Sequence, residues 1–248
     1  GFYSMFSNTT GAANTSVGYH TLYNNISGDG NNAFGFQAMM FNNLGNSNNA
    51  FGNNALLLNT SGYSNNAFGF DALRVNTFGS TNNAFGGSAL FSNTTGAKNN
   101  ALGFSALRLN TTGTSNTAVG HQTMFSNTTG DNNVAMGEFS LYSNTTGNSS
   151  TAIGFYSLSN SLGSSNTAVG HQALQDNTTG SGNTAIGMNT GGINTTGSNN
   201  TIVGYSADLL LANLTNASCI GYNSSVAISN AMMFGNGNVT DWGFGRSS

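Results

Sequence analysis

A glycine recurs every seventeen residues through most of this chain. Gly1, Gly18, Gly35, Gly52, Gly69, Gly86, Gly103, Gly120, Gly137 and Gly154 hold that spacing without a break. A sixteen-residue step reaches Gly170, and Gly187, Gly204 and Gly221 then resume the seventeen. So short and strict a period leaves few folds open. One repeat is too small to bury a core of its own, so it has to stack on its neighbours as one coil of a solenoid. The period accounts for nearly every residue, so the repeat itself has to carry the function.

The residues around each phase glycine define the coil. Alanine stands two places before it, as in Ala33, Ala50, Ala67, Ala84 and Ala101. A large apolar residue stands one place before it: Val17, Phe34, Phe51, Phe68, Phe85, Leu102, Val119, Met136, Ile153, Val169, Ile186 and Val203. Asn or Thr precedes the alanine, so the unit reads as a strand whose alternate residues differ in size. A second apolar row lies four places after the glycine, from Leu22, Met39 and Leu56 to Leu158 and Leu174. It marks a second short strand or a corner. Asn-Thr-Thr-Gly follows, intact at Asn93 to Gly96, Asn110 to Gly113 and Asn127 to Gly130. Asn and Gly tolerate positive φ, which makes this the turn.

The expected fold is therefore all-β, a parallel β-solenoid (β-roll) of about fourteen seventeen-residue coils. Stacked coils put like residues about 4.8 Å apart. Phe34, Phe51, Phe68 and Phe85 then form an aromatic stack. Asn14, Asn31, Asn48, Asn65, Asn82, Asn99 and Asn116 form a ladder of amides that bond up and down the rod. Like charges in such a register would repel. Only 4% of the residues are charged, against roughly 25% in an ordinary globular domain. The chain has no proline, which suits a structure that is ladder almost throughout. Its 17 Phe and 8 Tyr give it a core to bury, which a disordered chain lacks. Each coil still buries few large side chains. That need predicts a homo-oligomer, a trimer, with the Ala and Gly rows admitting a neighbouring backbone.

The period lapses in two places. The step from Gly154 to Gly170 loses a residue within Leu158 to Gly163, where a shorter turn absorbs it. After Gly204 the turn motif disappears, and Gly221 to Gly235 is a fourteen-residue step. Residues 1–204 thus read as the regular solenoid and 205–248 as transition coils and a cap, with Trp242 and Phe244 over the last coil. The chain opens in mid-phase, which reads as the interior of a longer or processed protein, with further chain expected after residue 248.

Candidate chemistry is sparse. Arg74, Lys98, Arg108 and Arg246 are the only cations and are dispersed, which argues against nucleic acid. No apolar run is long enough to span a membrane. Asp29, Asp71, Asp131, Glu138, Asp176, Asp208 and Asp241 fall at different phases, so stacking pairs none as acid and base. His121 and His171 share a phase but stand three coils apart, too far to share a metal. His20 is one position out of phase with them. Gly28-Asp29-Gly30 lacks the strand and helix that a phosphate loop needs. Cys219, the sole cysteine, occupies an alanine position and reads as a small buried side chain. No catalytic, cofactor-binding or metal site is expected, no cofactor, and no enzyme activity. The sequons at Asn8, Asn25, Asn59, Asn93, Asn110, Asn127, Asn144, Asn177 and Asn194 are candidate glycan acceptors. A turn ladder produces the same pattern without any sugar, and the adjacent Thr hydroxyls are a further target.

The unit Asn-Thr-Ala-Val-Gly-His-Gln-Ala-Leu at 166–174, with its Asn-Thr-Thr-Gly turn, resembles the head-type repeat of trimeric autotransporter adhesins. It resembles still more the longer coils of bacterial and viral tail-fibre-like proteins with a C-terminal endosialidase-type chaperone. Leu214 to Asn223 resembles their exit from the repeat array, and Phe234 to Thr240 the segment before the chaperone. The resemblance implies a left-handed β-roll, a homotrimer, and an extracellular or cell-surface location, or a virion fibre. Adhesin heads have shorter coils than these, and no chaperone or anchor is present in the sequence. The leading expectation is a structural fibre or filament segment, adhesin-like, whose partner is itself, with head-to-tail polymerisation an option at open sheet ends. The alternative is a receptor-binding tail fibre that contacts surface glycans or a host receptor. A minor one is ice binding, disfavoured because the Thr residues are expected beside the turn glycine and not on a flat face.

Overall fold

The computed structural model describes residues 1–239, and no helix occurs among them. Trp242 and Phe244 lie outside the described residues, as do Asp241 and Arg246. A single parallel sheet of fourteen strands runs the length of the rod in sequence order. Its strands are three residues long, from Thr15–Val17 to Met232–Phe234. Successive coils pair in register, Ala50 on Ala67 and Phe51 on Phe68. The expected aromatic stack is present, with the Phe51 and Phe68 rings 4.8 Å apart and 6° from parallel. The sheet continues past residue 204 through Ser218–Ile220.

The phase glycine ends each strand for two reasons. Its φ is near 140°, as in Gly69 at 143° and Gly86 at 141°. The backbone of the next coil also packs against it: a Cβ on Gly86 would stand 2.5 Å from the carbonyl oxygen of Gly103. The glycine row therefore belongs to the contact between coils of one chain. The alanine row is likewise interior, with Ala33, Ala50, Ala67 and Ala84 fully buried. The expectation that these rows admit another chain is overturned. A three-residue strand turns one residue inward and two outward, and the inward one is alanine.

The second side of the coil is not a strand, except where Asp208–Leu209 pairs with Ser225–Val226. Elsewhere its backbone takes positive φ two and four residues after the glycine, as at Gln37 (56°) and Met39 (51°) or Asp71 (56°) and Leu73 (50°). That conformation costs about 1–2 kcal/mol for a residue with a side chain. It turns Leu22, Met39, Leu56, Leu73, Leu90 and Leu107 fully inward, and burying such a side chain returns about 1.5–3 kcal/mol. Hydrogen bonds to other coils complete the balance: the Met39 N–H donates to the Ala55 carbonyl at 2.9 Å and the Gln37 N–H to that of Tyr19 at 2.9 Å.

The third side is the Asn-Thr-Thr-Gly turn, bounded by two buried asparagine ladders. The Asn99 N–H and Nδ2 both donate to Asn82 Oδ1, at 3.0 and 3.2 Å, and Nδ2 also donates to the Gly113 carbonyl at 2.8 Å. In the turn row, Asn110 Nδ2 donates to Asn93 Oδ1 at 2.8 Å and to the Gly113 carbonyl at 3.0 Å. The turn glycine needs no positive φ, contrary to expectation. It is required for space, because a Cβ on Gly113 would stand 2.5 Å from both Asn110 Oδ1 and the Gly130 carbonyl. The first turn threonine bonds onward as well, Thr94 Oγ1 donating to the Thr111 carbonyl at 3.0 Å.

The short step between Gly154 and Gly170 leaves the sheet intact, with Thr151 paired to Thr167 and Ile153 to Val169. One coil rearranges its core. Gly191 takes a leucine-row position, and Ile202 replaces an alanine and fills the vacated space; a Cβ on Gly191 would stand 2.9 Å from Ile202 Cδ1.

Candidate functional site

The most extensive chemical feature is the outer face of the long sheet. Each strand presents two side chains outward, the Asn or Thr before the alanine and the large apolar residue after it. The apolar row is half-exposed along the whole rod, with Phe85 42%, Met136 44%, Ile153 38% and Ile186 44% accessible. The residue types along the two rows agree with this facing. The inward position is alanine in almost every coil, whereas the outward one varies from Val to Phe, a latitude that a packed core does not allow.

The face has two zones. From Asn32 to Phe85 it pairs an asparagine ladder with the phenylalanine stack. Asn32 Nδ2 donates to Asn49 Oδ1, and Asn49 Nδ2 to Asn66 Oδ1, both at 2.8 Å. The stacked rings occupy one another's faces, 4.6 Å between Phe34 and Phe51, and show only their edges outward. From Thr117 to Val203 the rows are mainly Thr with Val or Ile, paired in register as Thr167 on Thr184 and Val169 on Ile186. Thr117, Thr151, Thr167, Thr184 and Thr201 thus lie on the flat face, where no Thr row was expected.

Around the corner, beyond the phase glycine, a second apolar row is exposed: Tyr19 (43%), Phe36 (47%), Phe70 (58%), Phe104 (55%) and Tyr205 (48%). His121 and His171 stand in this row, stacked on Phe104 and Phe155. His121 Nδ1 lies 3.3 Å from Glu138 Oε1. A further row interleaves cations and rings: Arg74 and Arg108 flank Phe91, and Arg108 also lies over Phe125.

The acids are dispersed. Asp29 accepts from the Ala12 N–H, Asp131 from the Thr114 N–H, and Asp71 pairs with Arg74 at 3.5 Å. Asp208 accepts from the N–H groups of Leu209 (2.8 Å) and Ile193 (3.2 Å). Burial pushes its carboxyl above the usual value, against the opposing pull of those N–H groups. Burial also pushes the Cys219 thiol up to about 11, and the nearby Asp208 charge adds to it. Cys219 is fully buried, with Sγ 3.3 Å from the Asp208 carbonyl. Among the described residues no three His, Cys, Asp or Glu side chains gather as metal ligands, and no helix is long and apolar enough to cross a membrane.

The nine candidate glycan acceptors fall on the inner turn ladder. Asn25, Asn59, Asn93, Asn110, Asn127, Asn144, Asn177 and Asn194 are fully buried, and Asn8 is half-buried. Asn59 Nδ2, for example, donates to the Gly62 carbonyl at 2.9 Å and to Asn42 Oδ1. The amide that a sugar would take is already engaged inside the coil. No family model, no curated protein and no solved structure matches this chain.

Proposed function

We propose that this chain is a structural segment of an extracellular fibre, a non-catalytic rod of the adhesin or tail-fibre kind that assembles with copies of itself as a trimer. The observation that carries the reading is the outward apolar row, half-exposed coil after coil along the sheet. A soluble monomer has little use for an uninterrupted hydrophobic stripe of that length. Fourteen strands at about 4.8 Å, each about 10 Å long, give a face of about 670 Å². That approaches the ~800 Å² per partner of a stable interface.

The polar row beside it is compatible with burial. Its Asn32 to Asn100 amides bond along their own chain, so covering them strands few donors. A second apolar row adjoins the first across the glycine corner, so one chain offers two different faces. A contact between unlike faces closes into a ring when the rotation between copies completes a full turn, and three copies is the number that the resemblance implies.

Sedimentation equilibrium tests this reading. The expected mass is three times the 25.4 kDa of one chain. Phe51→Asp with Ile186→Asp, one charge in each zone of the face and far apart along the stack, should lower it to one chain while leaving the β circular dichroism unchanged. A native chain that sediments as a monomer at micromolar concentration would refute the proposal.

A further inference from the structure

One coil of the rod interrupts both buried asparagine ladders and the threonine ladder at once. The outer row continues through it, the Asn148 N–H donating to Ser164 Oγ at 3.0 Å and the Ser164 N–H to Ser181 Oγ at 3.1 Å. In a regular coil such as that of Gly103, Asn99 donates to Asn82 and Gly113 and accepts from the N–H and Nδ2 of Asn116. In the coil of Gly154 that position is Ser150. Its N–H still reaches Asn133 Oδ1 at 2.9 Å, but its Oγ only accepts a long bond of 3.3 Å from the Asn166 N–H. The turn ladder fails in the same coil. Ser161 replaces the asparagine and accepts a single bond, from Asn177 Nδ2 at 3.1 Å. On the preceding coil, Asn144 Oδ1 instead accepts from the Gly147 N–H. The threonine ladder runs from Thr60 to Thr145 and resumes only at Thr178, because Leu162 stands between. The missing residue of the sixteen-residue step falls in this turn as well.

We propose that the coil of Gly154 is a built-in joint, at which the rod opens and which divides it into two cooperatively folded segments. A solenoid's stability is close to a sum of coil and nearest-neighbour terms. This coil keeps the backbone pairing on both sides, Ala135 to Ala152 and Ala152 to Ala168, and loses the amide-to-amide bonds of both asparagine ladders and the threonine bond that other coils add. The resting joint is therefore closed, and opening it sacrifices less than opening any neighbour. A load on the fibre would separate or bend the rod here and leave the stacks on either side folded. The inference is independent of how many chains associate, since Ser150 and Ser161 face the interior of their own coil.

Hydrogen exchange on the intact chain tests it. A uniform rod exchanges fastest at its ends and slowest in its middle. With a joint, the Thr151, Gly154 and Leu158 amides, which bond across it, should exchange at least about tenfold faster than those of Thr117, Gly120 and Met124. Asn99→Ser with Asn110→Ser should create a second fast coil at Gly103. Ser150→Asn and Ser161→Asn, with one Thr inserted after Leu162, should slow the first. Protection that is flat across the Gly154 coil, or unmoved by both sets of changes, would overturn the proposal.

Discussion

At the residue scale, two kinds of position set the coil. The phase glycine is fixed by dihedral and by space together, so Gly86→Ala is expected to cost at least about 3 kcal/mol. Gly237, where nothing lies within 4 Å of an added Cβ, is the matched control, and Gly237→Ala should change stability by less than about 0.5 kcal/mol. Thermal or denaturant midpoints would show the difference; equal shifts would mean that the contact between coils does not constrain the glycine. Asp208 carries the pH dependence. Its carboxyl is held above the unfolded-state value, so the folded chain binds that proton more tightly. The resulting stability is fully present below about 3.8, the ordinary value, and is lost as pH rises through the folded-state value. Asp208→Asn should raise the melting temperature at pH 7 and leave it nearly unchanged near pH 3.5. An equal loss at both pH values would show instead that the bonds accepted from Leu209 and Ile193 matter more than the buried charge. The residues with positive φ were the hardest to read in the sequence. Leu56 and Leu73 carry none of the Gly or Asn signature of that conformation. They adopt it because full burial and bonds to adjoining coils override local preference.

At the element scale, the period, the in-register pairing, the phenylalanine stack and the asparagine ladders were legible, because each follows from placing like residues over like. Which way the strand faces was not. A two-residue alternation leaves inside and outside undetermined until the size of the cavity is known, and here the coil is so thin that alanine fills it. The second side was equally ambiguous, since an apolar residue preceded by a small one suits a strand and a corner alike. The coil from Gly187 to Gly204 offers a test of core packing. Gly191→Leu alone should clash with Ile202, and Ile202→Ala alone should leave a cavity, each costing about 2–4 kcal/mol. The double variant restores the leucine-over-alanine arrangement of the other coils. It should be more stable than the sum of the two by at least about 2 kcal/mol. Additive losses would mean that Ile202 does not occupy the space left by Gly191.

At the scale of the whole molecule, the near absence of charge, the lack of proline and the paired amides serve one end. Each coil is a template for the next, and the strand N–H groups and the asparagine-ladder amides find partners one layer away. The candidate sequons were legible as a row, yet their burial was not, because the same Asn-Thr-Thr string describes an open turn and a closed ladder. The apolar row left outside is periodic, and the proposed assembly of rods side by side rests on it. The most direct measurement of this architecture is X-ray diffraction from aligned rods of the chain. Stacked coils require a sharp meridional reflection near 4.8 Å, with strands perpendicular to the long axis. A meridian without it, or a 4.8 Å spacing that appears only on the equator, would contradict the stacking of coil upon coil.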